Sequence, residues 1–291
     1  MTSIPSLRPH TSGLAITEAE YSKFCEYFYR RTGIMFGENK RYYVDKRLIE
    51  RIDKSGCKSF EQYFESLHRR NADAEIGYLI NLLTINETYF YREDHQLHCL
   101  VNGILPELVA GRPKGSRIRL WSMPCSTGEE PYSIAMYLLE NWRQVDDYEI
   151  EILASDIDTN VLRAAEAGLY DTRSLQRLTP DLIRRYFVSA GGDRFQLIDA
   201  IRQSVRFAQV NASDAAAMRA YAHIDVIFCR NMLIYFDDAS RRKTVESFYD
   251  SLNNGGFICL GHSESMSRIS ALFEVRKFAQ AMVYQKCGGK R

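Results

Sequence analysis

The chain has 291 residues, more than the roughly 150 typical of one domain, and 45% of them are apolar, so a sizeable core and two domains are expected. Its 38 basic and 37 acidic residues leave a formal net charge of +1, which provides no global field toward nucleic acid or an anionic membrane. No stretch approaches the ~20 apolar residues that span a bilayer, and the opening MTSIPSLRPHTSG lacks the apolar run of a signal peptide, so a cytoplasmic protein without membrane insertion is expected.

Thr17 followed by Glu20 spells a capping box, and Tyr21, Phe24, Cys25 and Phe28 then recur at helical spacing until Gly33. A second helix is predicted over Asn39 to Lys54. A third opens at Ser59 with Gln62 in the capping-box position, and a fourth near Asp73 buries Ile76, Leu79, Ile80 and Leu83. Residues 1–85 therefore read as an all-helical N-terminal domain.

The texture changes after a further helix that ends near Val109. RIRLWSMPC reads as a strand, STGEE as a loop, and PYSIAMYLLENW as a helix opening at Pro131. EIEILASDID, HIDVIFCRN and GGFICLGHS are further apolar strands, with helices over TNVLRAAEAGLY and from about Asp238 to Leu252. Strands alternating with helices predict a mostly parallel sheet whose ligand sits at the carboxyl ends of the strands. Between about 180 and 209 the helical rhythm fails around Gly191 and Gly192, which reads as a small antiparallel insertion, and FEVRKFAQAMVYQK reads as a closing antiparallel pair.

The loop STGEE has one glycine, Gly128, and lacks the GxGxxG fingerprint. Glu129 and Glu130 would repel a pyrophosphate but attract the amino group of a positively charged cofactor, which favours S-adenosylmethionine over NAD. Asp156 ends the next strand, where a carboxylate accepts from ribose hydroxyls, unless Asp156 or Asp158 merely caps the following helix. Arg230, Asn231 and Tyr235 in CRNMLIYF fall at the end of a third strand. Asn86, Thr88 and Arg92 punctuate LTINETYFYRED, which reads as a domain linker or as a segment laid over a cofactor. His95 and His98 have no companion ligands, and the seven cysteines are widely spaced without a CxxC pair, so no metal site or disulfide framework is expected.

Between Lys40 and Lys58 seven cations face three anions, and Arg47, Arg51 and Lys54 share one helix face. That face is either solvated by helical ion pairs or a surface for an acidic partner.

LTINETYFYRE, WSMPCSTGEEPYS, ASDIDTNVL and FCRNMLIYF, followed by GGFICLGHSES, closely resemble the chemotaxis receptor methyltransferase family, CheR, in order along nearly the whole chain. The resemblance implies a Rossmann-like class I methyltransferase domain over 86–291 with a small antiparallel β insertion, behind the helical domain. It further implies that Asn86, Thr88 and Arg92 touch S-adenosylmethionine, that Glu129 or Glu130 holds its amino group, and that Asp156 holds its ribose. Asn211, Ala212, Arg230 and Asn231 would flank the adenine, and Arg92 and Tyr235 would face the methyl group. The implied reaction esterifies glutamate side chains on the cytoplasmic region of chemotaxis receptors, leaving S-adenosylhomocysteine. Arg47, Arg51 and Lys54 would bind the receptor, and in this family the β insertion can dock a receptor's tail peptide.

Overall fold

The computed structural model describes residues 14–69 and 71–287; the opening MTSIPSLRPHTSG lies outside them. The chain divides into two compact units, Met1–Leu83 and Thr84–Arg291.

The first unit holds α1 (Glu18–Thr32), α2 (Arg41–Ser55), α3 (Phe60–Ser66) and α4 (Asp73–Leu83). The capping box forms at Thr17 with Glu20, and Gly33 ends α1 in the left-handed region. At α3 the Ser59 side chain accepts from Gln62 N–H, while the Gln62 side chain reaches back to the Lys58 N–H, one residue before the cap. Apolar faces drawn from all four helices, including Phe24, Phe28, Val44, Leu48, Ile52, Phe60, Tyr63, Leu79 and Leu83, are buried in this unit.

The second unit begins with a helical run made of α5 (Asp94–Cys99), a wide turn over Leu100–Ile104, and α6 (Leu105–Val109). There follow β1 (Arg117–Ser122), α7 (Glu129–Asn141), β2 (Glu149–Asp156), α8 (Thr159–Ala167), β3 (Leu169–Asp171), α9 (Pro180–Tyr186), β4 (Phe187–Ser189), β5 (Arg194–Leu197), α10 (Asp199–Arg202) and β6 (Val205–Gln209). The chain ends with α11 (Ala215–Met218), β7 (Ile224–Cys229), α12 (Asp238–Ser251), β8 (Leu252–Leu260), β9 (Phe273–Lys277) and β10 (Met282–Lys286).

Seven strands form one sheet in the order β6-β2-β1-β7-β8-β10-β9. The five strands from β6 to β8 run parallel, and β10 and β9 close the edge antiparallel as the C-terminal pattern predicts. Every residue of β7 is buried, and all are apolar except Asp225, which pairs with Arg112 and accepts from Arg119 N–H. From β1 the chain winds outward through β2 and β6, then returns to lay β7 on β1's other side. The order therefore reverses between β1 and β7, and the crevice at the carboxyl ends of these strands is where such a sheet takes a ligand.

Two expectations are corrected. The small antiparallel sheet has the order β3-β5-β4, so it recruits Leu169–Asp171 from well before residue 180, and Val205–Gln209 leaves it to pair parallel with β2. The turn at Gly191 and Gly192 does join β4 to β5, with both glycines at positive φ. Helix α7 starts at Glu129, not at Pro131, which puts Glu129 and Glu130 in its first turn.

Candidate active site

A cleft of about 800 Å³, counted with its open mouth, lies over the carboxyl ends of β1, β2 and β7. Pro124, Cys125 and Ser126 line it from the loop after β1, Asp156 from the end of β2, and Arg230, Asn231, Ile234 and Tyr235 from the loop after β7. Residues 85–89 and Arg92 complete the wall, with Glu130 and Ser133 of α7 behind them.

The loop after β1 turns on Gly128, whose φ of 92° is left-handed. A Cβ there would meet Ala165 Cβ at 2.9 Å and the Tyr170 hydroxyl at 3.1 Å, so both conformation and space demand glycine. The Tyr170 hydroxyl donates to Thr127 O at 2.8 Å and fixes the turn from the β3 side. Ser126 Oγ is buried in the cleft wall without a hydrogen-bond partner.

The structure separates the two carboxylates that the sequence leaves equivalent. Glu129 turns away from the cleft and accepts from Thr127 Oγ1 at 2.6 Å and Ser174 Oγ at 3.1 Å, tying the loop to the segment after β3. Glu130 faces the cleft. It accepts from Ser122 Oγ at 2.7 Å and pairs with Arg230 Nη1 at 3.0 Å. Burial pushes its pKa up, against the opposing pull of Arg230 and Ser122.

Asp156 is 3% exposed, and burial raises its pKa from 3.8 to about 6 even though Ser126 N–H and Asp158 N–H both donate to it. Asp158 is the helix cap, accepting from the Asn160 and Val161 N–H groups. Its other oxygen takes Thr84 Oγ1 at 2.6 Å and Asn86 Nδ2 at 2.9 Å. Asn86 therefore lines the cleft while its amide anchors the segment that carries it.

That segment is stapled along its length. Phe90 N–H donates to Ser174 O, Tyr91 N–H to Ser133 Oγ, and Arg230 Nη2 to the carbonyl of Arg92. Arg92 itself stands between two left-handed residues, Tyr91 at φ 58° and Glu93 at φ 54°, an unusual backbone for side chains of this size. Its Nη1 donates to Glu87 O at 2.6 Å. Arg230, 7% exposed, sits between Glu130 and Glu93, with its Nε 3.6 Å from Glu93 Oε2. Although burial raises the Glu93 pKa, Arg230 and His262 more than offset it and hold that carboxyl low.

Asn86, Thr88, Arg92, Glu130, Asp156, Arg230, Asn231 and Tyr235 thus meet at one cleft. Glu129 does not line it, and neither do Asn211 and Ala212, which follow β6 at the point where Val210 N–H donates to Asp156 O. Residue patterns gave no role to Ser126, Glu93 or Glu264, although all three stand inside the motifs already quoted. Among the described residues no cluster of three His, Cys, Asp or Glu side chains is placed to hold a metal ion.

In the helical unit, Arg47 Nε donates to Leu82 O at 3.0 Å and its guanidinium covers the Tyr43 ring. Arg51 grips Glu75 through two bonds of 2.6 and 2.5 Å, and Glu75 also accepts from the Tyr63 hydroxyl. Two of the three cations read as one recognition face therefore hold their own fold together, while Lys54 is exposed.

A mostly parallel sheet with a cleft at its switch point, an acidic residue ending the second strand and a carboxylate behind the first loop define the Rossmann-like methyltransferase class. Within that class the chain belongs to the CheR family: residues 86–282 match the CheR methyltransferase SAM-binding domain and residues 19–84 the CheR methyltransferase all-alpha domain. It is 50% identical over 273 residues to chemotaxis protein methyltransferase 2 of Vibrio cholerae, covering 94% of both chains. Chemotaxis protein methyltransferase 1 of Pseudomonas aeruginosa is 30% identical, with 94% of this chain and 99% of the relative covered. The Escherichia coli chemotaxis protein methyltransferase is 34% identical, with 91% of each covered. Among the described residues no helix is long and apolar enough to cross a membrane.

Proposed function

We propose that this chain transfers the methyl group of S-adenosylmethionine to glutamate side chains on the cytoplasmic region of chemotaxis receptors, leaving glutamyl methyl esters and S-adenosylhomocysteine as a step of sensory adaptation. The observation that carries the reading is the convergence of Glu130, Asp156, Arg92 and Tyr235 on one cleft at the switch point. The donor set suits a zwitterionic nucleoside: Asp156 has acceptor capacity for ribose hydroxyls, Glu130 offers a carboxylate to an ammonium, and the orphaned Ser126 Oγ is a buried hydroxyl in want of a partner. When bound, the cofactor supplies a methyl group on a sulfonium that already carries its leaving group.

A glutamate carboxylate with an ordinary pKa near 4.3 is ionised at neutral pH, so its oxygen forms the new bond to carbon without a general base. The protein's task is positioning, an effect worth up to about 7–11 kcal/mol. Arg92 and Tyr235 line the cleft and orient the incoming carboxylate. Arg92 holds it loosely, because ion pairing in the ground state weakens as the oxygen's charge disappears. Arg230 keeps Arg92 in place through its carbonyl.

The receptor-facing surface assigned to α2 then rests on the exposed Lys46 and Lys54 more than on Arg47 and Arg51. Docking of a receptor tail peptide belongs to the same reading, at the small sheet whose edge strand β4 exposes Val188. The test is calorimetry with S-adenosylhomocysteine joined to base-labile methyl transfer onto receptor-containing membranes. Binding with base-labile label supports the proposal, binding without label removes the receptor substrate, and no binding removes the cofactor assignment.

A further inference from the structure

The loop that leaves β7 carries four cleft residues, Arg230, Asn231, Ile234 and Tyr235, and it starts with a backbone that must be held. Asn231 lies at φ 58°, a left-handed conformation that asparagine tolerates but does not prefer. The N–H groups there have left the sheet ladder. One carboxylate collects them. Glu264 Oε2 accepts from Asn231 N–H and Gly261 N–H, each at 2.9 Å, and Oε1 accepts from Ile234 N–H at 3.3 Å.

Glu264 belongs to the GHSES loop after β8, and β8 is the parallel neighbour of β7, with Cys229 opposite Leu260. The side chain therefore bridges the ends of two adjacent strands. The approach is close: a Cβ on Gly261 would lie 2.9 Å from Glu264 Oε2 and 3.0 Å from Asn231 N. Burial raises the carboxyl's pKa while the backbone N–H groups oppose the rise.

We infer that Glu264 is a positioning residue for methyl transfer, a carboxylate clamp that sets the loop bearing Asn231 and Tyr235 against the cofactor. The inference rests on the proposed function for its reaction but not for its first readout. Two of these donors, Asn231 and Ile234, themselves line the cleft, so loosening the clamp acts on the site directly. A carboxylate is acceptor-only on both oxygens, whereas an amide turns its NH2 donor toward backbone N–H groups that cannot accept from it.

The test is Glu264→Gln in the full chain, with the wild type alongside. The dissociation constant for S-adenosylhomocysteine is measured by calorimetry, kcat and KM for receptor methylation are measured separately, and the melting temperature is recorded. Loss of charged hydrogen bonds predicts S-adenosylhomocysteine binding about tenfold weaker and kcat at saturating cofactor about tenfold lower, at a temperature where the variant is fully folded. A variant that melts earlier yet keeps wild-type affinity and kcat below its transition overturns the inference, because Glu264 would then only stabilise the fold. If Glu264→Gln does not fold, Gly261→Ala decides: its methyl displaces the clamp while leaving the carboxylate, and unchanged cofactor affinity overturns the inference. Wild-type protein that binds S-adenosylhomocysteine but labels no receptor defeats the substrate reading alone, and the affinity comparison still stands.

Discussion

Asp156 is under two opposed demands. Burial favours its protonated form and lifts its pKa from 3.8 to about 6, so between those values the folded chain holds a proton that the unfolded chain has released. Its contribution to stability is therefore lost as pH rises through about 6, an effect on the order of 3 kcal/mol. A ribose donating two hydroxyls demands the ionised form instead. S-adenosylhomocysteine binding should then weaken about tenfold for each pH unit below 6 and release a proton near that pH, whereas Asp156→Asn should bind weakly with a flat profile. Calorimetry from pH 5 to 8 in buffers of different ionisation enthalpy checks both, and a flat wild-type profile would remove Asp156 from the ribose role. Arg92 permits a second test at this scale. Lysine keeps the charge but not the planar fork, so Arg92→Lys should lower kcat about tenfold with little change in S-adenosylhomocysteine affinity. Full turnover with only cofactor affinity altered would exclude an orienting role.

At the scale of elements, α2 combines a structural and an exposed set of cations. The Arg51 and Glu75 side chains are 18% and 22% exposed, and Tyr63 shares the same carboxylate. Arg51→Met leaves that carboxylate half-buried without its guanidinium, and should destabilise the helical unit by about 2 kcal/mol. Lys46→Ala with Lys54→Ala should leave stability within about 0.5 kcal/mol and lower receptor methylation without changing cofactor affinity. Denaturant melts and methylation assays on the two variants separate the roles, and equal loss of stability in both would make the whole face structural. The sequence displays the charges of α2 but not their partners, because Glu75 lies 24 residues away on another helix. Local signals read better: the Thr17 capping box, the Gly33 stop and the Gly191-Gly192 turn each depend on neighbours within a few positions. The start of α7 is misread for a physical reason. Proline favours the first helical position, but every N–H of the first turn lacks a helical acceptor, so Pro131 is equally at ease two residues further in. Strand β6 is misplaced because a five-residue stretch of mixed character, VRFAQ, does not say which sheet it joins; its partner β2 decides that. The site shows the same division. Asp156 and Arg230 sit at strand ends where the pattern points, whereas the choice of Glu130 over Glu129 depends on a helix start, and Glu264 reaches back 33 residues to Asn231.

For the whole molecule, the two-unit division makes cofactor binding a thermodynamic probe. All the residues lining the cleft belong to Thr84–Arg291, so S-adenosylhomocysteine should stabilise that unit specifically. At a hundred times its dissociation constant a ligand adds about 2.7 kcal/mol, which for a domain of this size raises the melting temperature by roughly 5–10 °C. The helical unit, Met1–Leu83, has its own core and its own ion pairs, and should melt at an unchanged temperature. Differential scanning calorimetry with and without S-adenosylhomocysteine reads the two transitions directly. Arg51→Met supplies the complementary shift by lowering the helical transition alone. If instead one transition moves as a block under both perturbations, the units unfold together, and a cation lost from α2 would be felt at the cleft as well. The receptor-methylation defect of an α2 variant would then have to be corrected for lost cofactor affinity before any of it was assigned to receptor contact.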